Sequence, residues 1–153
     1  IGEEYFITLP NVSLSIDERN CLIIDAPLIT SSRLITNDIV ALVSENKFIW
    51  KGRFDNVINS GGIKLFPEQI EEKLQPYFKQ RFFIAGINDN LLGQKAILVI
   101  EGEEFLFDEN LFSKLEKYEK PKEIHFISKF EETETGKVKR SEIMEDIKRK
   151  AVD

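Results

Sequence analysis

Two runs of this chain carry residue types that could do chemistry. One is Thr135-Gly136-Lys137-Val138-Lys139-Arg140, in which a glycine precedes an ammonium on a polar loop. The other runs from Gly52-Arg53-Phe54-Asp55 through Ile58, Gly61-Gly62, Lys64 and Pro67 to Ile70-Glu71. A lysine is a compact charge on a long stem and can reach an anion. Glycines let backbone pass close beside a ligand, and an ionised carboxylate such as Asp38 can accept from two hydroxyls. Gly136-Lys137 is not the end of a phosphate-cradling P-loop. That motif needs Gly where Glu131 stands and Ser or Thr where Val138 stands. No other Gly-rich triphosphate loop is present, so any ATP handled here would be cradled elsewhere. Singly, each piece also has a plain structural reading. Residues 55–71 could be a hairpin leading into a capped helix, Asp38 a turn or cap residue, and Gly-Lys an ordinary polar loop.

The elements that must position these residues change character along the chain. Residues 5–7, 12–16, 21–24, 39–43 and 48–50 are β-rich runs punctuated by Pro10-Asn11, the polar run 17–20, Pro27 and Glu45-Asn46-Lys47. Strands at this spacing without helices suggest part of a β-barrel or meander. After Gly52 the pattern becomes mixed. Residues 56–60 and 63–66 flank Gly61-Gly62 as a hairpin, and Pro67 opens a helix at the position where a missing N–H costs nothing. Glu68, Glu71 and Glu72 suit that helix's N-terminal dipole, and Ile70, Leu74 and Tyr77 or Phe78 form its apolar stripe. Strands follow at 82–87, 96–100 and 123–127. A second helix is expected after an Asp108 cap, burying Leu111, Leu115 and Tyr118, and a last one over 141–150, facing inward through Ile143 and Ile147. Trp50, Phe82-Phe83, Phe105 and Phe107 read as core, and His125 as a strand residue. The class is α+β: a β-rich remnant of a barrel, then a small domain with a central sheet and about three helices.

Composition bounds the function. The 153 residues are 42% hydrophobic and 31% charged, with a formal charge of −6, which allows a real core and argues against a nucleic-acid surface. The basic residues between Lys137 and Lys150 are interrupted by Glu142, Glu145 and Asp146 and read as a solvated helix face. Cys21 and His125 are each alone, so no disulfide framework or histidine-rich metal site is expected and a reducing compartment, the cytoplasm, fits. No stretch approaches the roughly 20 apolar residues of a membrane span. The only Met is Met144, so the chain is read as a processed product or an excised fragment.

Taken together, the two runs resemble the C-terminal motifs of the adenylate-forming superfamily: acyl-CoA ligases, luciferases and peptide-synthetase adenylation domains. Thr36-Asn37-Asp38 stands where that family has Thr-Gly-Asp. Within it, Thr36-Asn37-Asp38 and Asn56-Val57-Ile58-Asn59-Ser60-Gly61-Gly62-Ile63-Lys64 look most similar to o-succinylbenzoate–CoA ligases of menaquinone synthesis. The residues depart from the wider pattern at Asn37 (for Gly), Asn59 (for Lys) and Gln69 (for the first Glu of Glu-Ile-Glu), and the last removes a charge.

The resemblance implies roles. Residues 1–52 would end the large N-terminal adenylation domain, 53–55 would be the hinge around Asp55, and 56–153 the mobile C-terminal domain. Lys137 would be the adenylation lysine, Asp38 and Arg53 would hold the ribose of the nucleotide, and Ser60, Gly61, Gly62 and Lys64 would form the CoA loop. ATP with Mg2+, CoA and a carboxylic acid would be substrates, with no metal ligands in this chain. The fragment alone would be inactive, because the triphosphate loop and acid pocket lie outside it. Its partners would be the rest of the N-terminal domain and, through exposed apolar edges, a second copy. Alternatives are another acyl- or aryl-CoA ligase, a peptide-synthetase adenylation domain loading a carrier thiol, or a non-catalytic binding module of the same fold.

Overall fold

A computed structural model describes residues 4–106 and 108–150, so Phe107, expected in the core, lies outside the described residues. The chain is α+β and divides into two compact units, Ile1–Val57 and Ile58–Asp153.

The first unit is a five-stranded antiparallel sheet of β1 (Phe6–Ile7), β2 (Ser13–Ile16), β3 (Cys21–Asp25), β4 (Leu34–Ser44) and β5 (Lys47–Arg53), in the order β1-β5-β4-β3-β2. β2 to β5 are a meander, in which each strand pairs with its sequence neighbour. The β2–β3 turn is closed by Asp17, whose carboxylate accepts the backbone N–H groups of Arg19 (2.8 Å) and Cys21 (2.9 Å). Asn20 takes the left-handed conformation there (φ 62°), which Asn tolerates better than most residues. Cys21, Leu22, Ala26, Ile39 and Val40 are buried, whereas Leu28, Ile29, Leu34 and Ile35 are exposed. β4 begins earlier than the apolar run 39–43 indicates. Thr36, Asn37 and Asp38 are strand residues, not a turn.

In the second unit β6 (Ile58–Ser60) and β7 (Ile63–Leu65) form the expected hairpin, and α1 (Pro67–Leu74) follows with Pro67 in its first turn. Gln75-Pro76-Tyr77 tightens into a 3-10 turn that ends the helix, and this puts Phe78 rather than Tyr77 in the core. β8 (Phe82–Asp89) and β9 (Gly93–Glu101) pair antiparallel over eight residues, and β10 (Glu123–Ile127) runs parallel to β9. α2 (Arg140–Lys150) closes the described chain. The sheet order is β10-β9-β6-β7, with β8 also on β9. Among the described residues no helix is long and apolar enough to cross a membrane.

β9 is buried on both faces. Ala96, Leu98 and Ile100 join Ile58, Leu65, Ile70, Leu74, Phe78, Ile84 and Leu115, while Ile97 and Val99 join Phe83, Phe130, Ile143, Met144 and Ile147. The period of two thus hands α1 one face of the strand and α2 the other. Apart from Ala96, each such side chain stabilises the fold by about 1.5–3 kcal/mol.

The helix expected after Asp108 does not form as an α-helix. Asp108 does cap, accepting the N–H of Asn110 at 2.9 Å, but Glu109–Lys114 is a 3-10 segment that leaves Leu115 extended. Leu115 is buried and Leu111 packs against the same core, as does Phe112, while Tyr118, beyond the end of the 3-10 segment, is 46% exposed. Among the described residues the small domain therefore has two α-helices and short 3-10 turns in place of a third.

Candidate functional site

In the first unit the candidate residues gather where β4 meets β5. Asp38 and Arg53 are register partners across the ladder. The Trp50 indole N–H donates to Asp38 Oδ1 at 3.2 Å, and Arg53 Nη1 lies 3.4 Å from the same oxygen. Both contacts converge on Oδ1 of a carboxylate that is 28% exposed. Trp50 is therefore a half-buried prop for Asp38 rather than plain core. A buried indole needs a partner for its N–H, and that requirement was the clue in the sequence.

Asn37 carries a second network. Its Oδ1 accepts from Arg19 Nη1 at 3.2 Å and its Nδ2 donates to Asp55 Oδ2 at 3.3 Å. Arg19 is paired with Asp17 at 2.7 Å and lies over the Phe54 ring, 5.0 Å from its centroid. Burial opposes ionisation of Asp17, but the N–H groups of Cys21 and Arg19 and the Arg19 guanidinium outweigh it and hold the carboxyl below its ordinary range. Asp55 itself is exposed in a 3-10 turn, Phe54–Asn56, with extended residues on either side (Arg53 ψ 135°, Val57 ψ 131°). Sequence reasoning missed Arg19, since Asn37 and Phe54, which it also meets, stand far along the chain.

In the second unit Ser60, Gly61, Gly62 and Lys64 share the β6–β7 hairpin, with Ser60 opposite Ile63 and Asn59 opposite Lys64. Gly61 (φ 58°) and Gly62 (φ 84°) both have positive φ, as a two-residue type I′ turn demands. The turn is tied down: Gly61 N–H donates to Leu92 O at 2.8 Å, and Asn59 N–H donates to the Gln94 side-chain carbonyl at 2.8 Å. A Cβ on Gly61 would sit 3.2 Å from Leu92 Cδ2, whereas one on Gly62 would meet nothing within 4 Å. Gly62 is thus the bare part of the turn. Lys64 is exposed.

Lys137 stands on a separate small hairpin. Lys139 N–H donates to Glu131 O, Thr133 N–H to Lys137 O (both 2.8 Å), and Glu132 bridges Val138. The Thr133 hydroxyl accepts the Lys137 N–H at 3.1 Å, and Gly136 turns the chain with φ 79°. The Lys137 side chain is exposed, and among the described residues no carboxylate pairs with its ammonium. At the base of the hairpin, Glu131 is raised above its ordinary range by the neighbouring Glu142 carboxyl, while Lys139 holds Glu142 low. Among the described residues no three His, Cys, Asp or Glu side chains gather as a metal-ligand set.

No family model matches the chain. It is 31% identical over 118 residues to an uncharacterized acyl–CoA ligase of Bacillus subtilis, covering 74% of this chain and 25% of that protein. Among solved structures, it resembles an acyl-CoA synthetase (AMP-forming)/AMP-acid ligase II-like protein from Dyadobacter fermentans at 35% identity and a TM-score of 0.54, covering 93% of this chain and 43% of that one. It also resembles the o-succinylbenzoate CoA synthetase of Bacillus subtilis at 16% identity and a TM-score of 0.75, covering 89% of this chain and 34% of that one. The curated relatives are named as acyl-CoA ligases or synthetases, and the fold is that of the C-terminal part of adenylate-forming enzymes. The chain spans about a quarter of the length of the curated relatives it matches.

Proposed function

We propose that this chain is the C-terminal part of an AMP-forming acid–CoA ligase, in which Lys137 serves the adenylation step. In that step a carboxylate oxygen attacks the α-phosphorus of ATP and pyrophosphate leaves. The CoA sulfur then attacks the acyl carbonyl carbon, with its proton lost, and AMP departs. The first step brings two anions together and builds charge on phosphoryl oxygens, so a preformed cation aimed there supplies the largest help. The observation that carries this reading is the Lys137 ammonium, exposed at a braced hairpin tip and unpaired among the described residues. Magnesium would arrive with the nucleotide as part of the substrate.

Asp38 suits the ribose because Trp50 and Arg53 fix one carboxylate oxygen and leave the other to accept hydroxyl protons. Asp55 is the proposed hinge residue, two positions before the unit boundary at Val57. After reorientation the Gly61-Gly62 turn would face the CoA arm, with Gly62 offering backbone without a Cβ and Lys64 a charge for a phosphate. The runs Thr36-Asn37-Asp38 and 56–64 support o-succinylbenzoate as the acid. Alone, the 153 residues would show no turnover, and the exposed Leu28, Ile29, Leu34 and Ile35 would favour self-association.

The test is Lys137→Ala in the protein that joins this chain to its adenylation domain. Acid-dependent ATP–pyrophosphate exchange should fall by about a hundredfold to a thousandfold. Thioester formation from synthetic acyl-adenylate should be largely spared. Equal loss of both half-reactions, or no loss, would defeat the assignment.

A further inference from the structure

Both strands of the Lys137 hairpin are gripped by ion pairs from other elements. On the entering side Phe130 is buried, and its N–H donates to Glu101 Oε1 at 2.8 Å. Arg81 holds Glu101 at 2.6 and 2.7 Å, contacts Glu132 of the hairpin, and lies over the Phe130 ring. On the leaving side Arg140 takes both oxygens of Glu71, at 2.8 and 3.0 Å, and lies over the Phe83 ring, 5.1 Å from its centroid. Glu71 Oε1 also accepts the Ile84 N–H at 2.9 Å, so the α1 carboxylate is fixed to β8 before Arg140 reaches it. The rings of Phe83 and Phe130 meet at 5.4 Å between the two grips.

We propose that Arg140–Glu71 and Arg81–Glu101–Glu132 are positioning groups for Lys137, holding its hairpin as a rigid arm. The proposal rests on the reading of Lys137 above. Two-pronged guanidinium–carboxylate pairs fix orientation as well as distance. A displacement of about 1 Å at a reacting group can cost on the order of a hundredfold in rate. A hairpin this short has few contacts of its own, so its tip inherits its position from what holds its strands. None of these five charged residues need touch the nucleotide.

Hydrogen exchange on the 153-residue chain reads the grip without any reaction. Arg140→Ala should speed exchange of the Thr133 and Lys139 amides by about tenfold or more beyond any change at Leu98 and Ile100 in β9, which report the stability of the whole unit. Arg140→Lys, which keeps the charge but loses the planar fork, should restore part of the protection. Should Arg140→Ala disturb β9 as well, Arg81→Gln puts the same question from the other strand. Unchanged hairpin exchange in a folded variant would overturn the inference. In the protein joined to its adenylation domain, Arg140→Ala should lower kcat for adenylation more than it raises KM for ATP, and should spare the thioester step. If Lys137→Ala stops adenylation and neither Arg140→Ala nor Arg81→Gln slows it, the positioning inference fails while the reading of Lys137 stands. If Lys137→Ala leaves adenylation intact, that reading fails, whatever the exchange data show.

Discussion

Arg140 and Glu71 meet through two parallel contacts, Nη1 to Oε1 at 2.8 Å and Nη2 to Oε2 at 3.0 Å, although 69 positions separate them. The pair joins the two runs whose residue types first suggested chemistry. Burial is the main influence on Glu71 and raises its carboxyl above the ordinary range, while Arg140 and the Ile84 N–H pull it back. Removing Arg140 would leave a carboxylate only 15% exposed with a single backbone donor. Because the Arg140 side chain is itself 38% exposed, we expect Arg140→Ala to cost about 2 kcal/mol, below the range for fully buried pairs. A double-mutant cycle of Arg140→Ala and Glu71→Ala in urea should give a coupling of about 1 kcal/mol. Additive effects would mean that the pair contributes nothing specific.

The two glycines of the β6–β7 turn should respond differently to alanine. Gly62→Ala meets open space and should cost only the left-handed backbone penalty, about 1–2 kcal/mol. Gly61→Ala bears that penalty and also presses on Leu92, so its loss should be larger. Gly62→Asn should be milder than Gly62→Ala, since Asn visits this region more readily. Denaturation midpoints with an unchanged slope would check the order, and equal losses at both positions would contradict it.

Acid should loosen the second unit through Glu101. Arg81 first, and then the Phe130 N–H, hold its carboxyl below its ordinary value of 4.5. A carboxylate with a lowered folded pKa contributes stability above its unfolded pKa and loses it as pH falls through the folded value. Glu101→Gln should therefore destabilise at neutral pH, and the gap to the parent should shrink as pH drops below about 4.5. Glu71 runs the other way: its raised pKa favours the protonated form in the fold, so its contribution is present in acid and lost as pH rises. Urea midpoints measured across this range would show the convergence for Glu101→Gln, and parallel curves would refute it.

Much of this was legible in the sequence. Pro67, Gly61-Gly62 and the alternating or helical spacing of apolar residues marked elements that form close to where those cues stand. The segment after Asp108 misled because Leu111 and Leu115 have α-helical spacing and both meet the core, although the backbone over Glu109–Lys114 is a 3-10 segment. Asp38 on its own could be a turn or cap residue, with Thr36 and Asn37 beside it. All three are strand residues whose partners are Arg19, Trp50, Arg53 and Asp55 instead of a core. The grips on the Lys137 hairpin could not be read at all. Local spacing says which side chains share a face, but not which distant carboxylate an arginine will find.

β9 sends alternate side chains into two cores, one roofed by α1 and the other by α2. Neither core can melt without exposing the strand that the other needs, so the two are thermodynamically one. A cavity made on the α1 side would loosen α2, and with it the stem of the Lys137 hairpin, without touching either. The small domain should accordingly lose its structure in a single all-or-none transition, and its lysine-bearing arm should hold its place until that transition arrives.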